Sequence, residues 1–219
     1  MDNTIPIPGL VIQGDGSYAL TIECPNGIIT PEVIDTLSRV VKELGITVHI
    51  TTAQKIMLLG LDQKTGRRAI ELLEEGGAGV RKARDISQPR VCVGKPYCKL
   101  ALQKTFPFGE YIYKELARIP IPPKLKVAVA GCPACCSWAN MVDIGFSGRK
   151  SGFVVMLGGH GGSRPKEGCE VGRISSPEEA GEIIKRLAAM FSRHVKIKSR
   201  MDRLIEKIGI EELKRAIGF

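Results

Sequence analysis

Residues 124–136 read Lys-Leu-Lys-Val-Ala-Val-Ala-Gly-Cys-Pro-Ala-Cys-Cys. Lys124 to Ala130 has the pattern of a half-buried strand, and it delivers the chain directly into the loop Gly131-Cys132-Pro133. Cys132 and Cys136 make a C-x3-C step, and after a gap of 33 residues upstream, Cys92-Val-Gly-Lys-Pro-Tyr-Cys98 is C-x5-C. Four thiolates are therefore available from two loops. Loops at strand ends can aim two such pairs at one point without bending a helix, and iron-sulfur clusters take these soft ligands. Zinc competes, although its usual C-x2-4-C knuckle fits the first spacing poorly. Unligated cysteine is often simply buried, which is the third reading. Cys135, beside Cys136, competes with it as fourth ligand.

Outward from this stretch the chain reads as two parts. Residues 1–80 suggest a small α+β half-domain. Val11–Gln13 and Tyr18–Glu23 read as a hairpin around Gly14-Asp15-Gly16. Thr30 and Pro31 open a helix that puts Val33, Ile34, Leu37, Val40, Val41 and Leu44 on one core face and stops at Gly45. Strands over 46–50 and 55–61 and a helix near 67–75 follow. Residues 81–219 open with a strand over 90–93, then a helical stretch over 99–118 interrupted by Pro107. Strands near 142–146 and 153–157 follow the cysteine loop. Ser176 and Glu179 make a capping box for a helix to about 193, and a last helix spans about 201–217.

Composition narrows the class. No apolar run approaches the ~20 residues needed to span a bilayer, so a membrane protein is not expected. The N-terminus, MDNTIPIPGL, has no basic n-region or long apolar stretch, which makes a cytoplasmic, reducing setting the expectation. Seven cysteines is an odd number, so metal or redox use outranks a disulfide framework. The formal net charge of +9 predicts attraction to some polyanion without naming it.

The order C-x5-C, then GCP-x-x-C, then Asp143-Ile144-Gly145-Phe146 and the glycine-rich Gly158-Gly159-His160-Gly161-Gly162 resembles the nitrite and sulfite reductase family. The TTAQ and KLK segments carry the likeness across most of the chain. The resemblance implies an α+β fold in which a ferredoxin-like half-domain precedes a 4Fe-4S α/β half-domain. It implies a 4Fe-4S cluster on Cys92, Cys98, Cys132 and Cys136, with Cys136 bridging to the iron of sirohaem. The implied reaction is six-electron reduction of sulfite to sulfide, or of nitrite to ammonia.

In the family a lysine pair and an arginine handle the substrate anion, which places Lys124, Lys126 and Arg90 in that role. Lysines two apart on a strand share a face, and fixed cations stabilise charge on an oxyanion and supply protons. Thr51, Thr52 and Gln54 resemble the cofactor-contact segment, and His49 and His160 are further cofactor candidates. Ala53 and Glu23 stand where the family usually carries arginines, so fewer cations are expected around the anion. A basic pocket for sirohaem carboxylates and anionic substrates explains the positive charge without nucleic acid. The run 193–200 reads as a solvated surface. The family commonly contains two related halves, and this sequence supplies one, so a homodimer or a related subunit is expected. No GxGxxG follows a strand, so electrons are expected from a separate ferredoxin or flavoprotein. The competing function is a non-catalytic 4Fe-4S electron-transfer or regulatory subunit. A basic zinc module for nucleic acid ranks last.

Overall fold

A computed structural model describes residues 6–81, 88–119, 125–196 and 199–219. The chain divides into two compact units, Met1–Asp85 and Ile86–Phe219, each mixing helix and sheet as the α+β reading expects.

In the first unit, β1 (Leu10–Ile12) and β2 (Tyr18–Ile22) form the expected hairpin. Asp15 shapes its turn by accepting from the Ser17 amide at 2.9 Å and the Ser17 hydroxyl at 2.7 Å. Helix α1 (Pro31–Leu44) starts where Thr30 Oγ1 accepts from the Val33 amide and stops at Gly45, whose φ of 64° a side chain would resist. Strands β3 (Thr47–Ile50) and β4 (Ile56–Leu61) complete an antiparallel sheet of order β1-β2-β4-β3. Helix α2 (Gln63–Glu75) begins four residues earlier than expected. Asp62 and Thr65 cap it reciprocally, each side chain accepting from the other's amide at 2.7 and 2.9 Å. Leu20, Ile22, Leu58, Leu61, Leu72 and Leu73 form the core between sheet and helices. The buried seam of α1 is narrower than its periodicity suggests: Val33, Leu37, Val40 and Leu44 pack, whereas Ile34 is 54% exposed.

The second unit has a five-stranded sheet of order β5-β6-β7-β8-β9. Strands β5 (Arg90–Val91), β6 (Val127–Ala130) and β7 (Ile144–Arg149) run parallel, and β8 (Gly152–Leu157) and β9 (Cys169–Ile174) continue antiparallel. Helix α3 (Phe106–Arg118) is opened by Pro107 rather than interrupted by it, because proline at the first turn gives up an amide that has no intrahelical partner. Helix α4 (Pro177–His194) starts at Ser176, whose Oγ accepts from the Glu179 amide. The Glu179 carboxylate returns to Ser175 instead of to Ser176. The expected last helix is two, α5 (Met201–Ile208) and α6 (Ile210–Ile217), divided at Gly209.

Strand β6 is shorter than expected and buried at all four positions, not half-buried. Val127 and Val129 join the main core with Phe108, Ile112, Phe146 and Phe153, while Ala128 and Ala130 pack on the other face with Ala139 and Val142. A parallel strand covered on both faces reads as a continuous apolar run. Strand β9 has no counterpart in the sequence reading because Val171 is an extra residue at a bulge: Val155 pairs with Gly172 and Met156 with Glu170, which breaks the alternation.

Gly145 on β7 lies so close to the Ala139 carbonyl that an added Cβ would overlap its oxygen, whereas a Cβ on Gly161 meets nothing within 4 Å. Gly145→Ala should therefore cost ~3 kcal/mol or more and Gly161→Ala within about 0.5 kcal/mol, measured by chemical denaturation.

Candidate cluster and anion site

Parallel strands end on the same side of a sheet, so β5 and β6 deliver their two cysteine loops to one place. Gly131 joins them. Its amide donates to Cys92 Sγ at 3.0 Å, and its carbonyl accepts from the amides of Leu102 at 2.8 Å and Gln103 at 3.1 Å. A Cβ at Gly131 would sit 3.1 Å from Gly94 Cα, so the two loops touch backbone to backbone. Within the first loop the Cys98 amide donates to the Gly94 carbonyl at 2.8 Å, and Thr105, fully buried, donates its hydroxyl to the Cys92 carbonyl at 2.5 Å. Cys132 is buried, Cys92 and Cys98 are half-buried, and Cys136 is exposed.

The adjacent cysteines point to different surroundings. Cys135 takes a left-handed φ of 56°, packs against the Ala128, Ala130, Ala139 and Val142 cluster, and accepts from the Asn140 amide at 3.3 Å. Burial pushes its thiol above the ordinary range, with the Asn140 and Ala139 amides opposing. Among the described residues no three His, Cys, Asp or Glu side chains are grouped to hold a single metal ion. The donor set suits a cluster, in which each thiolate binds a different iron, and an amide donor to sulfur such as Gly131 N–H is one of the contacts that tune a cluster's potential.

Arg90 is half-buried, with its guanidinium 5.4 Å from the Trp138 ring centroid. Burial pushes its pKa down, and the charge of Arg200 acts in the same direction. Trp138, itself at φ 61°, is 54% exposed. Lys126 has an exposed side chain, while its amide is fixed on Asp143 Oδ2 at 2.9 Å. Lys124, the other member of the expected pair, lies outside the described residues.

Asp143 is fully buried and ties three segments together. Oδ2 accepts from the Lys126 amide and from Arg200 Nη2 at 2.8 Å, and Oδ1 accepts from the Met201 amide at 3.0 Å. Burial pushes its carboxyl up, against these three donors. The sequence reading places Arg200 in a solvated run and gives it no role at the site. The available signal was an acid in the apolar stretch Val142 to Phe146, which demands a cationic partner. His160 faces the same helix: Nε2 is 3.6 Å from Asp202 Oδ2, and Nδ1 is 3.2 Å from the Gly161 carbonyl.

In the first unit His49 is exposed on β3. The Thr51 hydroxyl is engaged in its own turn, accepting from the Lys55 amide at 3.1 Å. Gln54 takes φ 58° with its side chain against Gly27, and Thr52 is exposed. Glu23 is paired, with Lys55 Nζ at 2.5 and 2.7 Å and Arg81 Nε at 3.6 Å. Burial pushes the Lys55 pKa down and Glu23 opposes it. Cys24 is buried in this unit's core and Cys169 is exposed on β9.

Two family models match the chain. The nitrite and sulphite reductase 4Fe-4S domain covers residues 82–218, and the nitrite/sulfite reductase ferredoxin-like half domain covers residues 11–75. The chain belongs to the nitrite and sulfite reductase family. An assimilatory-type sulfite reductase of Nitratidesulfovibrio vulgaris is 29% identical, over 95% of this chain and 96% of the relative. The large subunit of the Escherichia coli NADH nitrite reductase is 26% identical, over 94% of this chain and 25% of the subunit. Among solved structures, Mycobacterium tuberculosis NirA shares the fold with a TM-score of 0.80 at 22% identity, over 97% of this chain and 42% of NirA. The chain thus spans nearly all of one relative and less than half of the longer ones. No described helix is long and apolar enough to cross a membrane.

In the cluster-free chain Cys136 should alkylate with iodoacetamide several times faster than Cys135, read by peptide mass spectrometry, because Cys135 combines burial with a raised pKa.

Proposed function

We propose that the chain is a sirohaem-dependent reductase that takes sulfite to sulfide, with nitrite to ammonia as the alternative reaction. The observation that carries this reading is the Gly131 amide on Cys92 Sγ at 3.0 Å, which brings the C-x5-C loop against the GCP loop. It supports Cys92, Cys98, Cys132 and Cys136 as holders of one 4Fe-4S cluster. The exposure of Cys136, set against the inward packing of Cys135, favours Cys136 as the thiolate shared with sirohaem. When bound, the coupled cluster and sirohaem supply six electrons one at a time to a substrate that stays in place.

The chain's own residues have the complementary work. Lys126, with Lys124 and Arg90, binds the oxyanion and balances charge on its oxygens. Reduction of sulfite consumes seven protons for six electrons, yielding hydrosulfide and three waters. Ammonium side chains at the site can donate those protons and be recharged from solvent. The Trp138 ring, 5.4 Å from the Arg90 guanidinium, helps to position it through a cation–π contact. Thr52, Gln54, His49 and His160 are assigned to the macrocycle's carboxylates. Thr51 shapes the turn that presents its neighbours, since its hydroxyl is already engaged. Electrons come from a separate ferredoxin or flavoprotein in the cytoplasm. A second copy of the chain supplies the partner half, a reading supported by the exposed edge strand β3, where Ile50 is 74% exposed.

Anaerobic purification with sirohaem, iron and labile sulfide quantified tests the reading. Iron and sulfide in cluster ratio, sirohaem bands and a sedimenting dimer are expected. Cys92→Ser, Cys98→Ser, Cys132→Ser and Cys136→Ser should lose the cluster, whereas Cys135→Ser keeps it. A cluster-only spectrum in a chain made with ample sirohaem overturns the enzyme in favour of an electron carrier, and an active, sirohaem-loaded monomer overturns the dimer. Lys126→Gln should lower kcat/KM for sulfite by ~100-fold or more with cluster content unchanged.

A further inference from the structure

We infer that Arg200 is a further cation of the anion site, an anion-binding residue that Asp143 holds in place for a carboxylate or oxyanion. The inference rests on the reading of Lys126 and Arg90 as anion-handling residues. Asp143 Oδ2 lies 2.9 Å from the Lys126 amide and 2.8 Å from Arg200 Nη2, so a single oxygen fixes the guanidinium beside the residue whose side chain serves the anion. The other oxygen, on the Met201 amide at 3.0 Å, pins the backbone that carries Arg200. The guanidinium is thereby placed by both ends of its residue.

The tie to Asp143 leaves much of Arg200 unused. Its Nε is shielded from solvent and has no hydrogen-bond partner among the described residues, and its side chain is 35% exposed. A guanidinium offers five donors in a fixed plane, a match to the paired oxygens of a carboxylate or oxyanion. The local charge points the same way. Arg90 and Arg200 repel each other, and the buried carboxylate of Asp143 pairs with Arg200 while it holds the backbone of Lys126. Two guanidiniums that repel each other beside a single paired acid leave positive charge that a bound anion would complete.

The distances also separate this reading from a plain structural tie. A guanidinium that served only to neutralise Asp143 would be satisfied by a bidentate contact. Here one nitrogen, Nη2, contacts Oδ2, while Oδ1 is given to a backbone amide.

The ligand group has two possible sources, a carboxylate of the macrocycle and the substrate oxyanion, and the test distinguishes them. Trp138 is the chain's single tryptophan and lies under Arg90, so its fluorescence reports anion binding in the cofactor-free full chain. Inorganic sulfate at constant ionic strength is the probe. Arg200→Gln should weaken sulfate binding ~10-fold or more, in the range of a lost charge-assisted contact, and Arg200→Lys should fall between. Arg203→Gln is the control: it removes the same charge from the same turn, where Arg203 pairs with Glu206, and should leave sulfate affinity within about twofold. Asp143→Asn should weaken sulfate as Arg200→Gln does, since the guanidinium loses its anchor.

In the loaded enzyme, a raised KM for sulfite at unchanged sirohaem content assigns Arg200 to substrate. Lost sirohaem with KM unchanged in the loaded fraction assigns it to the macrocycle. Wild type that fails to saturate with sulfate overturns the inference. So does an Arg200→Gln variant that binds as wild type does, or an equal loss in Arg203→Gln. A wild-type chain that binds sulfate through Arg200 yet takes up no sirohaem would instead overturn the proposed reductase, leaving the anion site standing.

Discussion

The amide of Gly131, donating to Cys92 Sγ, is the contact on which the arrangement of the second unit's cysteine loops depends. It is one of three constraints on a single residue, since the same carbonyl takes two amides of the first cysteine loop and the space for a side chain is filled by Gly94 and Gln103. A residue held this way has one position relative to the strands on either side. The parallel order of β5, β6 and β7 then determines which side of the sheet receives the thiols. Thr105 completes the arrangement from the far end of the loop, its hydroxyl on the Cys92 carbonyl and its methyl against Gly94. The two cysteine loops, far apart in sequence, are held against each other by these contacts.

Two ion-paired acids show how the fold manages charge. In the first unit Glu23 neutralises Lys55 and draws Arg81 toward it. An acid there, where the family resemblance leads one to expect arginine, removes one cation and engages another. In the second unit Asp143 joins the entrance of β6 to the first turn of α5. Buried ion pairs add little net stability because desolvation offsets attraction, but removing one partner is costly, so such pairs fix geometry more than they raise stability. That is the use both serve: one holds the turn after β3, the other aligns Lys126 with the C-terminal helices.

Local features were legible in the sequence because their causes are local. The hairpin at Asp15, the caps at Thr30 and Ser176, and the glycine stop at Gly45 all depend on residues within four positions. Features set at a distance were not. Whether β6 is half or fully buried depends on Ala139 and Val142, which return over Ala128 and Ala130 only after the cysteine loop has turned. The tie between Arg200 and Asp143 spans 57 residues, and nothing in the run of cations near Arg200 marks which one faces inward. The left-handed φ of 56° at Cys135, which gives the adjacent cysteines different surroundings, is likewise not encoded in spacing.

The glycine-rich stretch 158–162 illustrates how a motif can mix two physical demands. A Cβ on Gly159 would press on the Asn140 carbonyl and the Val142 amide, and one on Gly158 would meet the Ile205 side chain, so these two are small because protein packs against them. Gly161 and Gly162 have open space instead. The first pair therefore fastens the loop to the turn behind the cysteines and to α5, while the second pair leaves backbone uncovered beside His160. Nδ1 of His160 meets the Gly161 carbonyl and Nε2 faces Asp202, so the ring is oriented from both sides at the edge of that opening. Helix α5 supplies Arg200 to the Asp143 motif and Asp202 to the histidine motif within one turn. Both segments that flank the cysteine loop are thus referenced to the same short helix, and a shift of α5 would displace Lys126, His160 and the guanidinium of Arg200 together.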